Sequence, residues 1–363
     1  MSNSRQVEDE VQPAMSEIGR RLVFNGRDRV EVERFDVPSP GPGQVLVRVH
    51  RSQVSAGSEK NGILSAKSSD VRRPLGYTTI GRVLEVGAGV DDSRPGDRVL
   101  AMGNHGSHWL AGRFTVGEQD WDSIHPIGYE ITDEQAAFAI LGEVALQGVR
   151  RAQLQIDESV AIYGQGVVGQ LTTQLCRVSG AYPIIAIDLD DARLELAKKS
   201  GATHTINASK VDPVEAVRDL TSGGPSLNDS HPGGGAQCVF HVSRDPAVLV
   251  PVMKSAADRG KVILTGSPPG AVEIGLQVEL LRWELDIRGV YGSGLDRPHP
   301  YWPYTRERNR RAIMRMIASG DLQVDYLISH VAKPEQATEL YQKVLAGTEG
   351  WMSIFFDWES EPV

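Results

Sequence analysis

The sequence predicts an α/β protein in which a compact β-rich unit accompanies a doubly wound parallel sheet. Residues 20–130 consist of short runs rich in Val, Ile and Leu, separated by Gly, Pro and Asp turns. Such spacing is typical of a β-barrel or sandwich. Residues 159–294 alternate apolar strands with helical segments. Because these strands are almost continuously apolar, this part is expected to form a parallel sheet covered on both faces.

Length, charge and composition restrict the class of protein. A chain of 363 residues, 40% hydrophobic and 23% charged, is long enough for two globular domains. A net charge of -9 argues against nucleic acid or an anionic membrane as a partner, and it favours a small-molecule substrate. The sequence has no apolar run of ~18 residues and no signal-peptide pattern, so we expect a cytoplasmic protein with no membrane partner.

The elements follow in order. Residues 1–15 are polar and acidic and are expected to form a flexible tail. The strand runs of the β-rich unit are "RLVFNG", "RVEVERF", "GQVLVRVHRSQVS", "TIGRVLEVG" and "DRVLAMG". The pattern changes near Thr132 or Asp133, where a capping residue precedes apolar residues at helical spacing. Residues 221–237 are rich in Gly, Ser and Pro and predict a surface loop. After residue 300 we expect a helix, a strand, a second helix and the final strand "MSIFFDW".

The two cysteines, Cys176 and Cys238, both lie in apolar runs. Two thiols cannot make a disulfide framework or a structural zinc lobe. We therefore interpret both as buried, unpaired thiols.

"SVAIYGQGVVGQ" carries the most specific chemical signal in the chain. Gly164, Gly166 and Gly169 match G-x-G-x-x-G between an apolar strand and a helix, which is the setting that the motif requires. The first Gly makes the tight turn, the second admits a pyrophosphate, and the third lets the helix pack against the strand. Val167 and Val168 open that helix, whose N-terminus attracts the phosphates. The sequence thus predicts a Rossmann dinucleotide-binding domain.

Asp188 ends the next strand, nineteen residues after Gly169. An acid there binds the ribose hydroxyls of NAD and repels a 2′-phosphate, so the expected cofactor is NAD(H) rather than NADP(H). Arg193 lies nearby in the sequence and is the residue that could instead serve a phosphate. His241 and Gly266 follow or end later strands of the same sheet, where contact with the cofactor is expected.

The order of these motifs resembles one family, the medium-chain dehydrogenase/reductases of the alcohol-dehydrogenase-like type. The resemblance runs from about residue 20 to 358 and is carried by "VPSPGPGQVLVRVHRSQVS", "GYTTIGRVLEVGAGV", "RPGDRVLAMG" and "VAIYGQGVVG". It implies a GroES-like catalytic domain formed by residues 16–135 and 300–363, and a Rossmann domain formed by residues 136–299. It also implies an active site in the cleft between them. "SAGSE" and "GNHGSHW" further resemble the subgroup around bacteriochlorophyllide a hydroxyethyl dehydrogenase.

The chain lacks the thiol and imidazole zinc ligands of the zinc-dependent members of that family. Where those members carry a zinc-binding His after Gly, this chain has Tyr77, and near Ser55 the Cys ligand is missing. The third ligand falls between Ile140 and Glu143, and the segment after "GDRV" has no cysteine for a structural zinc. Since zinc needs three thiolate, imidazole or carboxylate ligands, we expect no zinc. The alternative is an unusual site built from four other residues, namely Glu59, Glu143, His105 and His108.

Without a metal, a hydrogen-bond donor must polarise the carbonyl. Tyr77 is the first candidate, the alternative being a Tyr that merely packs over the missing metal site. Ser58 is a candidate for proton relay, or else an N-cap for the turn at Glu59. His105 and His108 are relay candidates as well, with a surface or structural role as the alternative.

Two further features bear on substrate and assembly. Residues 292–311 hold three aromatic residues and several arginines, and they predict either a wall of the substrate pocket or a packed hinge between domains. The strand "LDIRGVYGSG" resembles the edge strand through which family members dimerise, so the resemblance implies a homodimer.

Three functions remain open from sequence. The first is an NAD(H)-dependent, zinc-independent oxidoreductase that interconverts a secondary alcohol and a ketone on a polar or cyclic substrate. The second is a zinc-free enone or quinone reductase, against which Asp188 argues because those relatives usually prefer NADPH. The third is a non-catalytic dinucleotide-binding protein.

Overall fold

The computed structural model describes residues 17–69, 71–112, 124–221, 231–266, 268–291, 300–347 and 351–359. The predicted tail, the centre of the 221–237 loop and residues 292–299 lie outside these ranges. Within them, the predicted α/β class is confirmed, with mixed and antiparallel strands in one part and a parallel sheet in the other.

The β-rich unit contains a seven-stranded sheet and a three-stranded sheet. Its N-terminal strands are β1 Ile18–Phe24, β2 Val30–Asp36, β3 Val45–Val54, β4 Arg73–Pro74, β5 Thr79–Val86, β6 Arg98–Ala101, β7 His108–Ala111 and β8 Ile124–Pro126. The C-terminal strands β15 Ile328–Ala332 and β16 Ser353–Asp357 join them, because β16 pairs antiparallel with β3. The large sheet has the order β15-β16-β3-β5-β6-β8, with β7 on β3, and the small sheet has the order β2-β1-β4.

The parallel sheet has six strands in the order β11-β10-β9-β12-β13-β14. They are β9 Val160–Tyr163, β10 Ile184–Asp188, β11 His204–Asn207, β12 Ala236–His241, β13 Ala256–Leu264 and β14 Asp286–Gly289. The order reverses on either side of β9, and ligands of such sheets bind beyond the strand ends at that point.

In the described ranges, eight α-helices surround the sheets. They are α1 Ala56–Ser69, α2 Asp133–Ala152, α3 Val167–Val178, α4 Asp191–Ser200, α5 Pro213–Leu220, α6 Leu249–Lys254, α7 Arg306–Ala318 and α8 Ala337–Ala346. Thr132 caps α2, accepting the amide of Gln135 while the Gln135 side chain accepts the amide of Thr132. None of the described helices is long and apolar enough to cross a membrane.

The core is divided by the two sheets. The strands β9, β10 and β12 are buried along almost their whole length, as the continuous apolar runs predicted. Cys176 and Cys238 are both unpaired and buried, which confirms their interpretation. Burial raises the pKa of both thiols, so neither is a thiolate at neutral pH.

Candidate active site

Tyr77 lies in the loop between β4 and β5, and Ser55 lies between β3 and α1. The Tyr77 hydroxyl donates a hydrogen bond to Oγ of Ser55 at 2.5 Å. The two positions are those at which the family resemblance placed two zinc ligands, and the fold brings them into contact. Because the residues present are a phenol and an alcohol, the pair can donate and accept hydrogen bonds.

A buried network of hydrogen-bonded polar side chains supports Tyr77 and Ser55. The Glu59 carboxylate accepts the amide of Ser55 at 2.6 Å, Nε2 of His105 at 3.1 Å and the hydroxyl of Tyr341. Burial alone would raise the pKa of Glu59, but attraction to His105 and these hydrogen bonds hold it below its usual value. Glu59 is therefore a fixed negative charge that orients Ser55.

His105 belongs to the same hydrogen-bond network, on the side away from the Tyr77 hydroxyl. Its ring is fully buried, its Nδ1 lies 2.8 Å from Oγ of Ser52, and it packs edge-on against Phe356. Gly76 has φ +85°, and a Cβ there would lie 2.7 Å from the His105 ring. His105 thus supports the loop that carries Tyr77 but does not contact the Tyr77 hydroxyl.

The other two relay candidates, Ser58 and His108, lie in different positions relative to Tyr77. The helix α1 begins at Ala56, so Ser58 lies inside its first turn and is exposed, and the alternative role as an N-cap is wrong. The Ser58 hydroxyl lies near the phenol of Tyr77 and acts to lower its pKa. His108 contacts Ser107 at 3.0 Å and lies 3.4 Å from Glu17, and in the described ranges nothing joins it to Tyr77.

The protonation of Tyr77 follows from its surroundings. Burial raises the pKa of the Tyr77 phenol, and the charge of Glu59 adds to that effect. The hydroxyls of Ser55 and Ser58 and the positive charge of Arg244 oppose it without cancelling it. The phenol is therefore protonated throughout the physiological range and can serve as a proton donor.

The glycine-rich loop has the geometry that dinucleotide binding requires. Gly164 has φ +99°, and a Cβ on Gly169 would lie 1.9 Å from the carbonyl oxygen of Gly164, so only glycine fits. A Cβ on Gly166 would meet no atom within 4 Å, which leaves space in front of this residue. Gly166 begins α3, and Val167 and Val168 are half-buried in its first turn. Backbone amides thus face open space at a helix N-terminus, as a bound pyrophosphate needs.

Asp188 lies at the end of β10 beside this loop. Its carboxylate accepts the amide of Gln165 at 2.6 Å, that of Leu189 at 2.8 Å and that of Asp190 at 3.1 Å. Nη1 of Arg193 lies 4.0 Å away. The structure therefore holds an ordered carboxylate where the sequence placed the ribose-binding acid, with Arg193 as its neighbour.

His241 and Gly266 flank the same edge of the sheet. His241 is 1% exposed, and neither of its ring nitrogens has a hydrogen-bond partner of normal geometry in the described ranges. Burial lowers the pKa of His241, so the ring is neutral. A Cβ on Gly266 would lie 2.4 Å from the carbonyl oxygen of Ser243, so this glycine allows two loops to meet. A buried imidazole without a partner suits a bound polar ligand.

The donors near Tyr77 do not make a zinc site. In the described ranges no group of three His, Cys, Asp or Glu side chains could hold a metal ion. The alternative ligands are engaged elsewhere: Glu59 and His105 bind each other, and Glu143 accepts Nε of Arg310 at 2.8 Å. Arg310 also donates to Nε2 of His125. The residues present therefore do not fit the catalytic zinc of the family.

The described part of the aromatic segment 292–311 packs against α2. The indole Nε1 of Trp302 donates to Gln147 at 3.4 Å, and the guanidinium of Arg150 stacks 3.7 Å from the ring centroid of Tyr304. These contacts favour the packed-hinge alternative for residues 300–304.

Sequence reasoning missed three residues of this site. Ser55 was noted only as the position of a lost ligand, although it accepts the hydrogen bond of Tyr77. Tyr341 and Arg244 come from distant parts of the chain and carry no motif. For Arg244 there was a usable signal, because a charged residue just beyond a parallel strand lies on the ligand-binding edge.

Known proteins resemble this chain along most of its length. Residues 167–307 match the zinc-binding dehydrogenase family. L-threonine 3-dehydrogenase of Pyrococcus abyssi is 29% identical over 90% of this chain and 94% of its own length. Sorbitol dehydrogenase of Bacillus subtilis is 26% identical over 90% of this chain and 93% of its own length. The crystal structure of 2R,3R-butanediol dehydrogenase from Bacillus subtilis shares the fold, with a TM-score of 0.75 at 19% identity over 93% and 99% of the two chains.

The catalytic-plus-Rossmann architecture and the glycine-rich loop agree with these matches. Over residues 167–307 the chain is similar to the zinc-binding dehydrogenase family, and over most of its length it is similar to dehydrogenases that act on alcohols.

Proposed function

We propose that the protein is an NAD(H)-dependent, zinc-independent dehydrogenase that interconverts a secondary alcohol and a ketone. The observation that carries this proposal is the 2.5 Å hydrogen bond from Tyr77 to Ser55 at the two positions where zinc ligands are expected. The named relatives, threonine and sorbitol dehydrogenases, support a hydroxyl-bearing, polar substrate. The sequence resemblance to the bacteriochlorophyllide subgroup extends this class to cyclic substrates.

The cofactor assignment rests on the Gly164–Gly169 loop and Asp188. When bound, NAD(H) supplies or accepts the hydride. The amides that open α3 would hold its pyrophosphate, and the carboxylate of Asp188 would bind its adenosine ribose. Since Asp188 places a carboxylate beside the loop, a 2′-phosphate would be repelled, which supports NAD(H) over NADP(H).

Tyr77 supplies the proton in the direction of ketone reduction. As the carbonyl carbon gains a hydride, negative charge develops on its oxygen, and the Tyr77 hydroxyl donates a proton to that oxygen to give the alcohol. The resulting phenolate is stabilised by the hydroxyls of Ser55 and Ser58. Because Ser58 is exposed, it can return a proton from solvent to Tyr77.

The assembly is part of the same proposal. The strand β14 pairs only with β13 and forms one edge of the parallel sheet in the described ranges. An exposed strand edge is a template for pairing with another strand. Pairing of two β14 strands across a twofold axis would make a homodimer.

The first experiment is a fluorescence titration of chelator-treated protein with NADH and with NADPH in parallel. Tight NADH binding and weak NADPH binding support the proposal, and a screen of secondary alcohols and ketones with NAD(H) follows. Preference for NADPH together with turnover of enones or quinones would replace it with the reductase alternative. Cofactor binding without turnover of any alcohol, ketone or enone would leave a non-catalytic binding protein. Activity that chelation abolishes and zinc restores would refute zinc independence.

A further inference from the structure

Arg244 reaches from the parallel sheet to the opposite wall of the site. It lies in the loop after β12, three residues beyond His241. Its Nη1 would be 2.7 Å from a Cβ placed on Gly57, so the guanidinium packs directly on the first turn of α1. The absence of a side chain at Gly57 is what admits it. The positive charge of Arg244 also acts on the phenol of Tyr77.

Among the residues that the structure describes, this guanidinium has no counter-ion. In the described ranges Arg244 makes no ion pair and no hydrogen bond, although it is half-buried. Two acids that lie near it in sequence or near Tyr77 in space have other partners. Asp245 accepts the amide of Ala247, and Glu59 binds His105 and Tyr341. A partly desolvated guanidinium without a neighbouring acid favours an anionic ligand.

We propose that Arg244 is a specificity residue that binds an anionic group of the substrate, a carboxylate or a phosphate monoester, beside the hydroxyl of Tyr77. This inference rests on the proposed dehydrogenase function. Its planar guanidinium suits both groups, because each can accept two parallel hydrogen bonds. The backbone of the neighbouring Ser243 approaches Gly164, but the Arg244 side chain extends to Gly57, and its charge acts on Tyr77. The same chemistry could come from the cofactor pyrophosphate, and the experiment separates the two sources.

The test compares ligands that carry an anionic group with neutral analogues that lack it. We would titrate the NADH-loaded protein by calorimetry with 3-hydroxybutyrate against 1,3-butanediol, and with dihydroxyacetone phosphate against dihydroxyacetone. The variants are Arg244→Gln and Arg244→Lys. Arg29→Gln is the matched control, because Arg29 is exposed on the β-rich unit and lies outside the candidate site. NADH affinity is measured separately for every variant.

The expected result is that one anionic ligand binds at least about tenfold more tightly than its neutral partner. Arg244→Gln removes that preference and changes NADH affinity less than about twofold. Arg244→Lys keeps part of the preference, because the positive charge remains but the planar guanidinium is lost. Arg29→Gln changes neither the preference nor the NADH affinity. A wild-type protein without preference in either pair would overturn the inference. So would an Arg244→Gln variant that loses NADH affinity but keeps the preference, because Arg244 would then serve the cofactor. These are binding measurements, so absence of turnover would count against the proposed function alone.

Discussion

Nε of Arg310 on α7 lies 2.8 Å from Oε2 of Glu143 on α2, and both side chains are buried. Arg310 also donates to His125, whose pKa is lowered to about 3 by burial and by the charges of Arg310, Arg306 and Arg311. The ring is therefore neutral and able to accept the hydrogen bond. This cluster ties a strand of the β-rich unit to two helices.

Replacing only one residue of the Arg310–Glu143 pair is expected to lower the free energy of unfolding strongly. Glu143→Ala or Arg310→Met leaves a buried charge without its partner, and we expect each to lower the free energy of unfolding by about 3–5 kcal/mol. Replacing both, as Glu143→Leu with Arg310→Met, should cost much less than the sum. The measurement is urea denaturation followed by circular dichroism.

The control is the exposed pair Arg311–Glu307 on the same helix. Glu307→Ala should change stability by less than about 1 kcal/mol. If Glu143→Ala were as mild as Glu307→Ala, the cluster would have no structural role.

Removing the phenol hydroxyl should impair catalysis and leave cofactor binding intact. We expect Tyr77→Phe to lower kcat for ketone reduction by about 10²–10⁴-fold, because the proton donor is lost. The NADH dissociation constant should stay within about twofold. Steady-state kinetics and fluorescence titration provide the two values. Full turnover by Tyr77→Phe on a good substrate would remove Tyr77 from the mechanism.

Charge at Asp188 should set the cofactor preference. Asp188→Asn removes the negative charge while keeping an oxygen that can accept a backbone amide. We expect the ratio of NADPH to NADH dissociation constants to fall by at least about tenfold, or about 1.4 kcal/mol. Asp191→Asn is the matched control, since this exposed acid binds Lys210 and Asn207 instead. An unchanged ratio in Asp188→Asn would contradict the NAD(H) assignment.

Asp133 makes stability depend on pH in the acid range. Burial alone would raise its pKa, but hydrogen bonds from His50 and Arg98 and their charges lower it to about 2 from 3.8. A carboxyl whose folded pKa is depressed stabilises the fold above its unfolded pKa, and that stability is lost as pH falls through the folded value. The shift corresponds to about 2 kcal/mol. Asp133→Asn should therefore cost about that much at pH 7, and the difference from wild type should narrow between pH 4 and pH 2. A difference that stays constant over this range would exclude the assigned pKa.

Local pattern predicted most of the fold. The strands β9, β10 and β12 follow from apolar runs that can be satisfied only inside a covered parallel sheet. The cap at Thr132 and the glycine-rich loop follow from residue types with a direct backbone consequence. The domain boundaries and the edge-to-edge dimer stay predictions.

The site was less accessible to sequence, because its contacts are long-range. Tyr77 was found only through the family position that it occupies. Its partner Ser55 is an ordinary serine until β3 and the loop after β4 come together. His105 was expected in a relay, yet its role is to hold Glu59, and Tyr341 reaches that carboxylate from a helix almost at the end of the chain. Sequence periodicity does not predict such long-range side-chain contacts.

The chemical reactivity of the two buried thiols reports the opening of the parallel sheet. Cys176 and Cys238 are the only cysteines of the chain, and both side chains are inaccessible with a raised pKa. A thiol reagent can modify them only when the packing between α3 and β12 separates. The labelling rate of the wild-type protein therefore measures how fast α3 and β12 separate, and no added probe is needed. A single cysteine introduced at an exposed position such as Ser58 would react far earlier, so one reagent could follow the candidate site and the core on separate timescales.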